Sequence, residues 1–490
     1  MRYAEYKAIV ELSNSVVEAT EHIKEHPEMV GMLVDCGEAI SAIKSNLEIN
    51  GEEAIDEIKD FFNIIDVMAD KIANNEDYAS MLSELYEISL KINNYCKKNI
   101  KYKFKIVFFA EIGSKWDAMD SVYRAYKARE DCEVLVVLAP VFRAIKLPNG
   151  EIKSDVIYTD YLTGMGIEHM PFQKYDIKKD LPDLVFTSQP YESVTTEQFW
   201  AENIAPYTRL VYLPYFTAGG AINDEEKFVQ CQMPIHKLAW KVVCQSDKAK
   251  EVYSKYSPVG GKNLIACGLP KWDYVVNMNN REIEFPKEWE KLKGKKIILR
   301  NCHYNIRNPE SFMKIVHEAL DIFEGTDMGY LYRFHPLVET MFNVYYPDFK
   351  ERWEALKSEI DNSKNVAIDR NVTYDAAFMF SDVLLTGYTS LVSQYLLTKK
   401  PVIMQHWGQY ENAKKAEESK EVFVKMTELY PVDTLEEAYN LCEKIFFNDD
   451  FEYEKRMNFI NETLPNADGK IGERLSGQLI NDMLLEDNML

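Results

Sequence analysis

The sequence lacks several features that define whole classes of protein. No stretch approaches the roughly 20 apolar residues of a membrane-spanning helix. The first ten residues, MRYAEYKAIV, carry charges where a signal peptide needs an apolar core. The eight cysteines are scattered, with no CxxC pair and no Cys/His grouping at the spacing of a metal site. These absences predict a cytoplasmic protein whose cysteines are buried and reduced, with no metal.

Positive charge is also scarce. The chain has 57 Lys and Arg against 79 Asp and Glu, and its formal net charge is −22. That balance disfavours nucleic-acid binding and a mainly electrostatic membrane patch. The remaining composition, 46% hydrophobic and 12% aromatic, is that of a globular protein, and 490 residues predict two or three domains.

The first hundred residues contain almost no glycine or proline and no convincing strand. Apolar residues recur there at helical spacing, as in Ile58, Phe61 and Ile65. Asn50–Gly51 and Asn74–Asn75 are typical of turns between helices. We therefore predict a helical bundle domain over residues 1–102. Its apolar stripe forms the bundle core or, alternatively, docks peripherally on a membrane or on a protein partner.

After residue 102, short apolar runs alternate with helical spacing. The first series is Ile106–Ala110, Val134–Leu138, Leu184–Phe186, Leu210–Leu213, Lys241–Cys244 and Asn263–Ala266. The second series is Ile297–Arg300, Tyr330–Phe334, Val366–Ile368, Val383–Leu385, Val402–Met404 and Val422–Val424. This alternation predicts two α/β domains with doubly wound parallel sheets, at 103–278 and 293–490, joined by a polar linker at 279–292. A ligand is expected in the cleft between them.

One turn in the second series suits a bound anion. A strand ends at Leu385 and helical spacing resumes at Leu391, so the turn lies at the carboxyl edge of a parallel sheet. Its residues are Thr386, Gly387, Tyr388, Thr389 and Ser390. The free N–H groups at a helix start favour an anion, Gly387 permits close approach, and the hydroxyls add donors. The alternative is an ordinary turn whose Thr389 and Ser390 only cap the helix.

Several short runs occur in a fixed order along the chain. They are Ala239–Trp240, Gln245–Asp247, CGLPKWD at 267–273, RFHP at 333–336, Ser381–Asp382, GYTS at 387–390 and KPVI at 400–403. Through them the chain resembles, from Lys105 to Phe447, the CDP-glycerol glycerophosphotransferase family of teichoic acid synthesis. The corresponding family runs read GLPKxD, RxHP, SD and DYSS. The resemblance implies a glycosyltransferase-B fold, in which two Rossmann-like domains face each other across a cleft.

The resemblance also implies a site. The domain at 293–490 would bind the cytidine nucleotide, with His335 and the hydroxyls of Thr389 and Ser390 on the pyrophosphate. The candidate catalytic residues are His335 and His303. The candidate nucleotide- and phosphate-binding residues are Arg300, Asn301, Arg333, Thr386, Gly387, Tyr388, Thr389 and Ser390. Arg333 alternatively supports the fold. No cofactor and no metal is expected, because helix ends and basic side chains can stabilise phosphate charge.

Two positions depart from the family pattern. The family has an HGTP run, whose histidine is the expected base for the acceptor hydroxyl, where this chain reads LPYFTAGG at 213–220. His236, His303 and Asp117 are the nearest substitutes. Gly387 stands where the family has the acidic residue of DYSS.

By this resemblance we expect a transferase. It would move glycerol phosphate, ribitol phosphate or a sugar from a nucleotide-activated donor, CDP-linked, to a cell-surface polymer or glycan acceptor. The first alternative is a sugar-nucleotide-dependent glycosyltransferase. The second is a non-catalytic, partner-binding member of the fold. The expected location is cytoplasmic, including the inner membrane face.

Overall fold

The computed structural model describes residues 1–51, 55–146, 150–157, 160–217, 232–303, 306–419, 425–448 and 452–489. The chain divides into two compact units. The first contains Met1–Ile106, Arg129–Glu133 and Leu479–Leu490, and the second contains Val107–Ala128 and Val134–Gln478.

The first unit is helical, as its sequence predicts. Its helices are α1 (Tyr3–Glu25), α2 (Leu33–Ile49), α3 (Asp56–Ala73) and α4 (Ala79–Asn99). The predicted turns end α2 and α3, and Gly51 and Asn75 there adopt left-handed φ angles of 77° and 56°. Ile58 and Phe61 are buried in the bundle, so most of the stripe forms core. No helix among the described residues is both long and apolar enough to span a bilayer.

Two sheets follow along the chain, and all but the first residues of β1 and β2 belong to the second unit. The strands of the first sheet are β1 (Phe104–Ala110), β2 (Cys132–Leu138), β5 (Met170–Pro171), β6 (Leu184–Thr187), β7 (Arg209–Tyr212), β8 (Lys241–Cys244) and β9 (Leu264–Ala266), in the order β5-β2-β1-β6-β7-β8-β9. The strands β3 (Val141–Lys146) and β4 (Ile152–Ile157) form a separate antiparallel hairpin, which the sequence analysis did not predict. The helices along this part are α5 (Asp117–Lys127), α6 (Ile177–Asp180), α7 (Ala201–Ile204), α8 (Pro234–Leu238), α9 (Asp247–Tyr256) and α10 (Pro270–Val276).

The second sheet is parallel throughout. Its strands are β10 (Lys296–Cys302), β11 (Met328–Phe334), β12 (Val366–Ile368), β13 (Val383–Thr386), β14 (Val402–Gln405) and β15 (Tyr430–Val432), in the order β12-β11-β10-β13-β14-β15. The helices that follow are α11 (Pro309–Phe323), α12 (Leu337–Thr340), α13 (Lys350–Asn362), α14 (Asp375–Phe380), α15 (Leu391–Leu396), α16 (Tyr410–Ser419), α17 (Leu435–Asn448), α18 (Tyr453–Thr463) and α19 (Ile471–Glu486). Apolar residues of β10, β11, β13 and β14 pack with those of α11, α13 and α17 in one core.

Both sheets reverse their strand order in the middle, which confirms the predicted Rossmann-like architecture. The reversal lies between β1 and β6 in the first sheet and between β10 and β13 in the second. The predicted strand at 422–424 lies outside the described residues.

Candidate functional site

The switch point of the second sheet gathers most of the predicted site residues. Asn301, near the end of β10, pairs with Arg333 of β11 on one side and with Thr386 of β13 on the other. Its side-chain amide donates to the Arg333 carbonyl at 3.2 Å, and its own carbonyl accepts from the Thr386 hydroxyl at 3.4 Å. Since ligands of open parallel sheets bind outside such strand ends, this edge is the candidate site.

His335 is held in one tautomer. Its Nδ1 accepts a hydrogen bond from the backbone N–H of Leu337 at 3.1 Å, so the proton of the neutral ring is on Nε2. Burial, with the nearby His303 as a second cause, lowers the pKa of His335 to about 4. The two imidazole centroids are 6.0 Å apart. At neutral pH His335 is therefore an uncharged donor, suited to a phosphate oxygen.

Arg300 is a buried cation that no described carboxylate pairs with. Only 5% of its surface is exposed, and its Nη1 has no hydrogen-bond partner. Among the described residues no carboxylate forms an ion pair with it, and its guanidinium carbon lies 5.7 Å from the centre of the Trp407 ring. An arginine stays protonated even when buried. Within the described part of the chain no carboxylate compensates this positive charge, which an anionic ligand would neutralise.

Arg333 is already engaged with the protein. Its guanidinium forms an ion pair with the fully buried Asp369 and donates to the carbonyls of Asn371 and Val372 at 3.1 and 3.3 Å. These bonds fix the loop after β12 against the end of β11. The geometry favours the fold-supporting alternative, and a phosphate contact by Arg333 stays a prediction.

In the turn before α15 the two hydroxyls have different environments. Thr389 accepts the backbone N–H of Leu391 at 3.2 Å, whereas Ser390, which is exposed, forms no capping bond in the described chain. A Cβ added at Gly387 would meet no described heavy atom within 4 Å, so the space above the turn is open. Tyr388 is 45% exposed. Thr389 is thus the helix cap, while the Ser390 hydroxyl remains available.

The switch point of the first sheet holds a polar cluster that the sequence analysis missed. Glu111 follows β1, is 5% exposed, and accepts from Lys115 Nζ at 2.8 Å and from Gln189 Nε2 at 2.7 Å. Burial raises the pKa of Glu111, and Lys115 opposes that shift. Lys115 Nζ also lies 4.6 Å from the centre of the Tyr215 ring. Tyr215 belongs to the segment 213–220, where a histidine was expected. A carboxylate directly after a buried strand was the available signal.

His236 and Asp117, two of the residues named above as substitutes for that histidine, are both buried. His236 is between Tyr212 and Tyr253, with centroids 5.4 and 5.8 Å away, and burial lowers its pKa to about 4. The cavity beside it holds about 20 Å³, roughly one water. Neither this burial nor so small a cavity is typical of an imidazole ring that a polymer acceptor can reach.

Asp117 belongs to a buried network that joins elements of the two sheets. Its carboxylate accepts from the Tyr374 hydroxyl at 2.7 Å and from Gln394 Nε2 at 3.1 Å, and lies 3.5 Å from Lys271 Nζ. Burial raises the pKa of Asp117. With so many partners in the protein, Asp117 is suited to holding the second unit together. Groups of His, Cys, Asp and Glu that could hold a metal are absent from the described residues.

Comparison with known proteins agrees with this geometry. Residues 223–481 match the model of the family described as CDP-glycerol:poly(glycerophosphate) glycerophosphotransferase. The chain is 26% identical over 252 residues to teichoic acid ribitol-phosphate polymerase TarK of Staphylococcus aureus, covering 49% of this chain and 45% of that one. For TarL of the same organism the identity is 26% over 256 residues, covering 49% and 41%. The chain thus spans less than half the length of these curated relatives.

A solved structure also shares the fold. It is a variant of the wall teichoic acid polymerase TagF soaked with CDPG. The TM-score is 0.50 at 13% identity, with 87% of this chain and 98% of that chain covered.

Proposed function

Because the chain belongs to the CDP-glycerol:poly(glycerophosphate) glycerophosphotransferase family, we propose that it transfers a polyol phosphate, glycerol or ribitol phosphate, from a CDP-linked donor to a surface-polymer acceptor. The observation that carries this proposal is Arg300, a buried guanidinium with no carboxylate partner among the described residues, at a Rossmann switch point. The neutral Nε2–H of His335 and the exposed Ser390 hydroxyl add donors suited to the same phosphate.

The proposed reaction is a displacement at phosphorus. The acceptor hydroxyl oxygen attacks the β-phosphorus, the bond from that phosphorus to the bridging oxygen breaks, and CMP leaves with the electron pair. Negative charge grows on the bridging and terminal oxygens. Arg300 and His335 stabilise that charge as fixed donors, which is the main way proteins accelerate phosphoryl transfer.

The hydroxyl proton needs an acceptor, and Glu111 is our candidate. Its buried carboxylate, with a pKa raised by burial, is linked through Lys115 to Tyr215, in the segment that lacks the family histidine. A raised pKa brings a carboxylate closer to the optimum for proton transfer at neutral pH. Glu111→Gln should therefore reduce turnover by roughly a hundredfold or more while leaving CMP affinity unchanged.

The test is CMP release from CDP-glycerol and CDP-ribitol, measured with a short polyol-phosphate acceptor and compared with UDP-sugars. The proposal expects turnover only with a CDP-polyol. Turnover with a UDP-sugar alone would support the glycosyltransferase alternative instead. Tight binding of CDP-polyols without turnover would make the chain a binding member of the family.

A further inference from the structure

A second group of unsatisfied side chains lies at the end of β14, outside the proposed phosphate contacts. Residues 405–408 leave the sheet there and are tied to the segment after β15. The backbone N–H of His406 donates to the Val432 carbonyl at 2.8 Å, the Gln405 amide to the Asp433 carbonyl at 3.3 Å, and the Gly408 N–H to the Asp433 carboxylate at 2.6 Å. The segment is therefore held in one conformation.

Three side-chain atoms of this segment, Gln405 Oε1 and both ring nitrogens of His406, are buried with no hydrogen-bond partner among the described residues. Gln405 is 2% exposed, and its Oε1 has no donor among the described residues. His406 is 3% exposed, and neither of its ring nitrogens has a described partner, although Tyr388 and Tyr410 contact the ring at 5.8 and 5.0 Å. Buried polar atoms in folded proteins nearly always have partners, so this set is suited to binding a polar ligand.

Trp407 places a large aromatic ring next to these atoms. Its φ of 54° lies in the left-handed region, which is strained for a bulky side chain. It is nevertheless 45% exposed, so burial of the indole does not offset that strain. The ring lies 5.7 Å from the guanidinium carbon of Arg300, the proposed phosphate ligand.

We propose that Trp407 provides the stacking surface for the nucleobase of the donor and that Gln405 and His406 bind the polar edge of that base, favouring cytosine over uracil. This inference rests on the proposed function. The exocyclic amino group of cytosine can donate to Gln405 Oε1, whereas uracil presents a carbonyl oxygen at the same position and would repel it. A neutral imidazole at position 406 offers one donor and one acceptor to the rest of the edge.

The experiment measures the affinity of CMP, UMP and inorganic pyrophosphate by calorimetry. The wild-type protein is expected to prefer CMP over UMP by about tenfold or more. Gln405→Met should reduce that preference to about twofold. Trp407→Gly should weaken CMP binding by roughly fivefold to a hundredfold and leave the affinity for pyrophosphate unchanged. Trp407→Phe should retain most of the CMP affinity.

Folding is controlled within the same set of variants. Glycine relieves the left-handed backbone, so Trp407→Gly is expected to melt no lower than wild type. Lys399→Gly is the matched control, since Lys399 is exposed with a φ of 64° and has no place in the site. Equal wild-type affinities for CMP and UMP, or an unchanged CMP affinity in Trp407→Gly, would overturn the inference alone. Failure of the wild type to bind either nucleotide or pyrophosphate would overturn the proposed function with it.

Discussion

Replacing Arg300 with methionine is expected to stabilise the folded protein and to weaken donor binding. The guanidinium is 5% exposed, has an orphaned Nη1 and lacks a carboxylate partner in the described chain. Desolvating a cation costs several kcal/mol. The offsets here are an aromatic contact worth about 0.5–2 kcal/mol and a hydrogen bond to the neutral Cys302 side chain. Methionine keeps much of the apolar volume, so the free energy of unfolding should rise by about 1–3 kcal/mol.

The affinity should change in the opposite direction. A hydrogen bond to a charged group contributes about 1.5–3 kcal/mol, so Arg300→Met should bind CDP-glycerol roughly 10- to 150-fold more weakly. The two quantities are measured on one preparation by denaturant unfolding and by calorimetric titration. A rise in stability together with a loss of affinity is diagnostic, because replacing an arginine with a purely structural role would lower the stability and leave the donor affinity unchanged.

Arg456 offers a matched control for this substitution. It is also 5% exposed, but its Nε donates to the Lys399 carbonyl at 3.0 Å and its guanidinium carbon lies 5.5 Å from the Tyr453 ring. Arg456→Met should lower stability and leave CDP-glycerol affinity unchanged. If Arg300→Met instead behaves like Arg456→Met, the reasoning about the unpaired cation is refuted.

Three further predictions concern single side chains. Thr389→Ala should lower the stability by about 1 kcal/mol, because it removes a helix cap. Ser390→Ala should leave the melting temperature unchanged and weaken nucleotide binding about tenfold. The reverse pattern would make Ser390 the cap. Burial lowers the pKa of His236 to about 4, so the neutral ring stabilises the fold fully above pH 6.5, and about 3 kcal/mol of that stability is lost as the pH falls to 4. His236→Phe should remove this loss, whereas His317→Gln, at a half-buried histidine, should not. Lys271→Met leaves the buried Asp117 carboxylate without its cation and should destabilise the protein by about 3–5 kcal/mol in denaturant unfolding. A loss below about 1 kcal/mol would contradict the buried ion pair.

The fold was readable from the sequence because its strands are buried on both faces. Apolar runs such as Ile106–Ala110 and Ile297–Arg300 have the length of strands and alternate with helical spacing, which is enough to predict parallel α/β sheets. The edge strand Tyr430–Val432 was missed because Pro431 lies at its centre. Proline is tolerated there since, among the described strands, this one is at the edge of the sheet and pairs with β14 alone.

The candidate site was only partly predictable. Strand-end motifs at Arg300, His335 and Ser390 could be placed at one edge, because carboxyl ends of parallel strands adjoin. The lack of a described carboxylate beside Arg300, and of described partners for Gln405 Oε1 and the His406 ring, depends on tertiary burial, which has no local pattern. For Glu111 the position after a buried strand was a local signal, but its contact with Gln189, 78 residues away, was not readable from the sequence.

The most direct test of the central claim is the structure of the protein soaked with CDP-glycerol. The account predicts pyrophosphate density at the ends of β10, β11 and β13, with oxygens within about 3 Å of the Arg300 guanidinium, His335 Nε2 and the Ser390 hydroxyl. Density for the pyrophosphate at the switch point of the first sheet, beside Glu111 and Lys115, would contradict it.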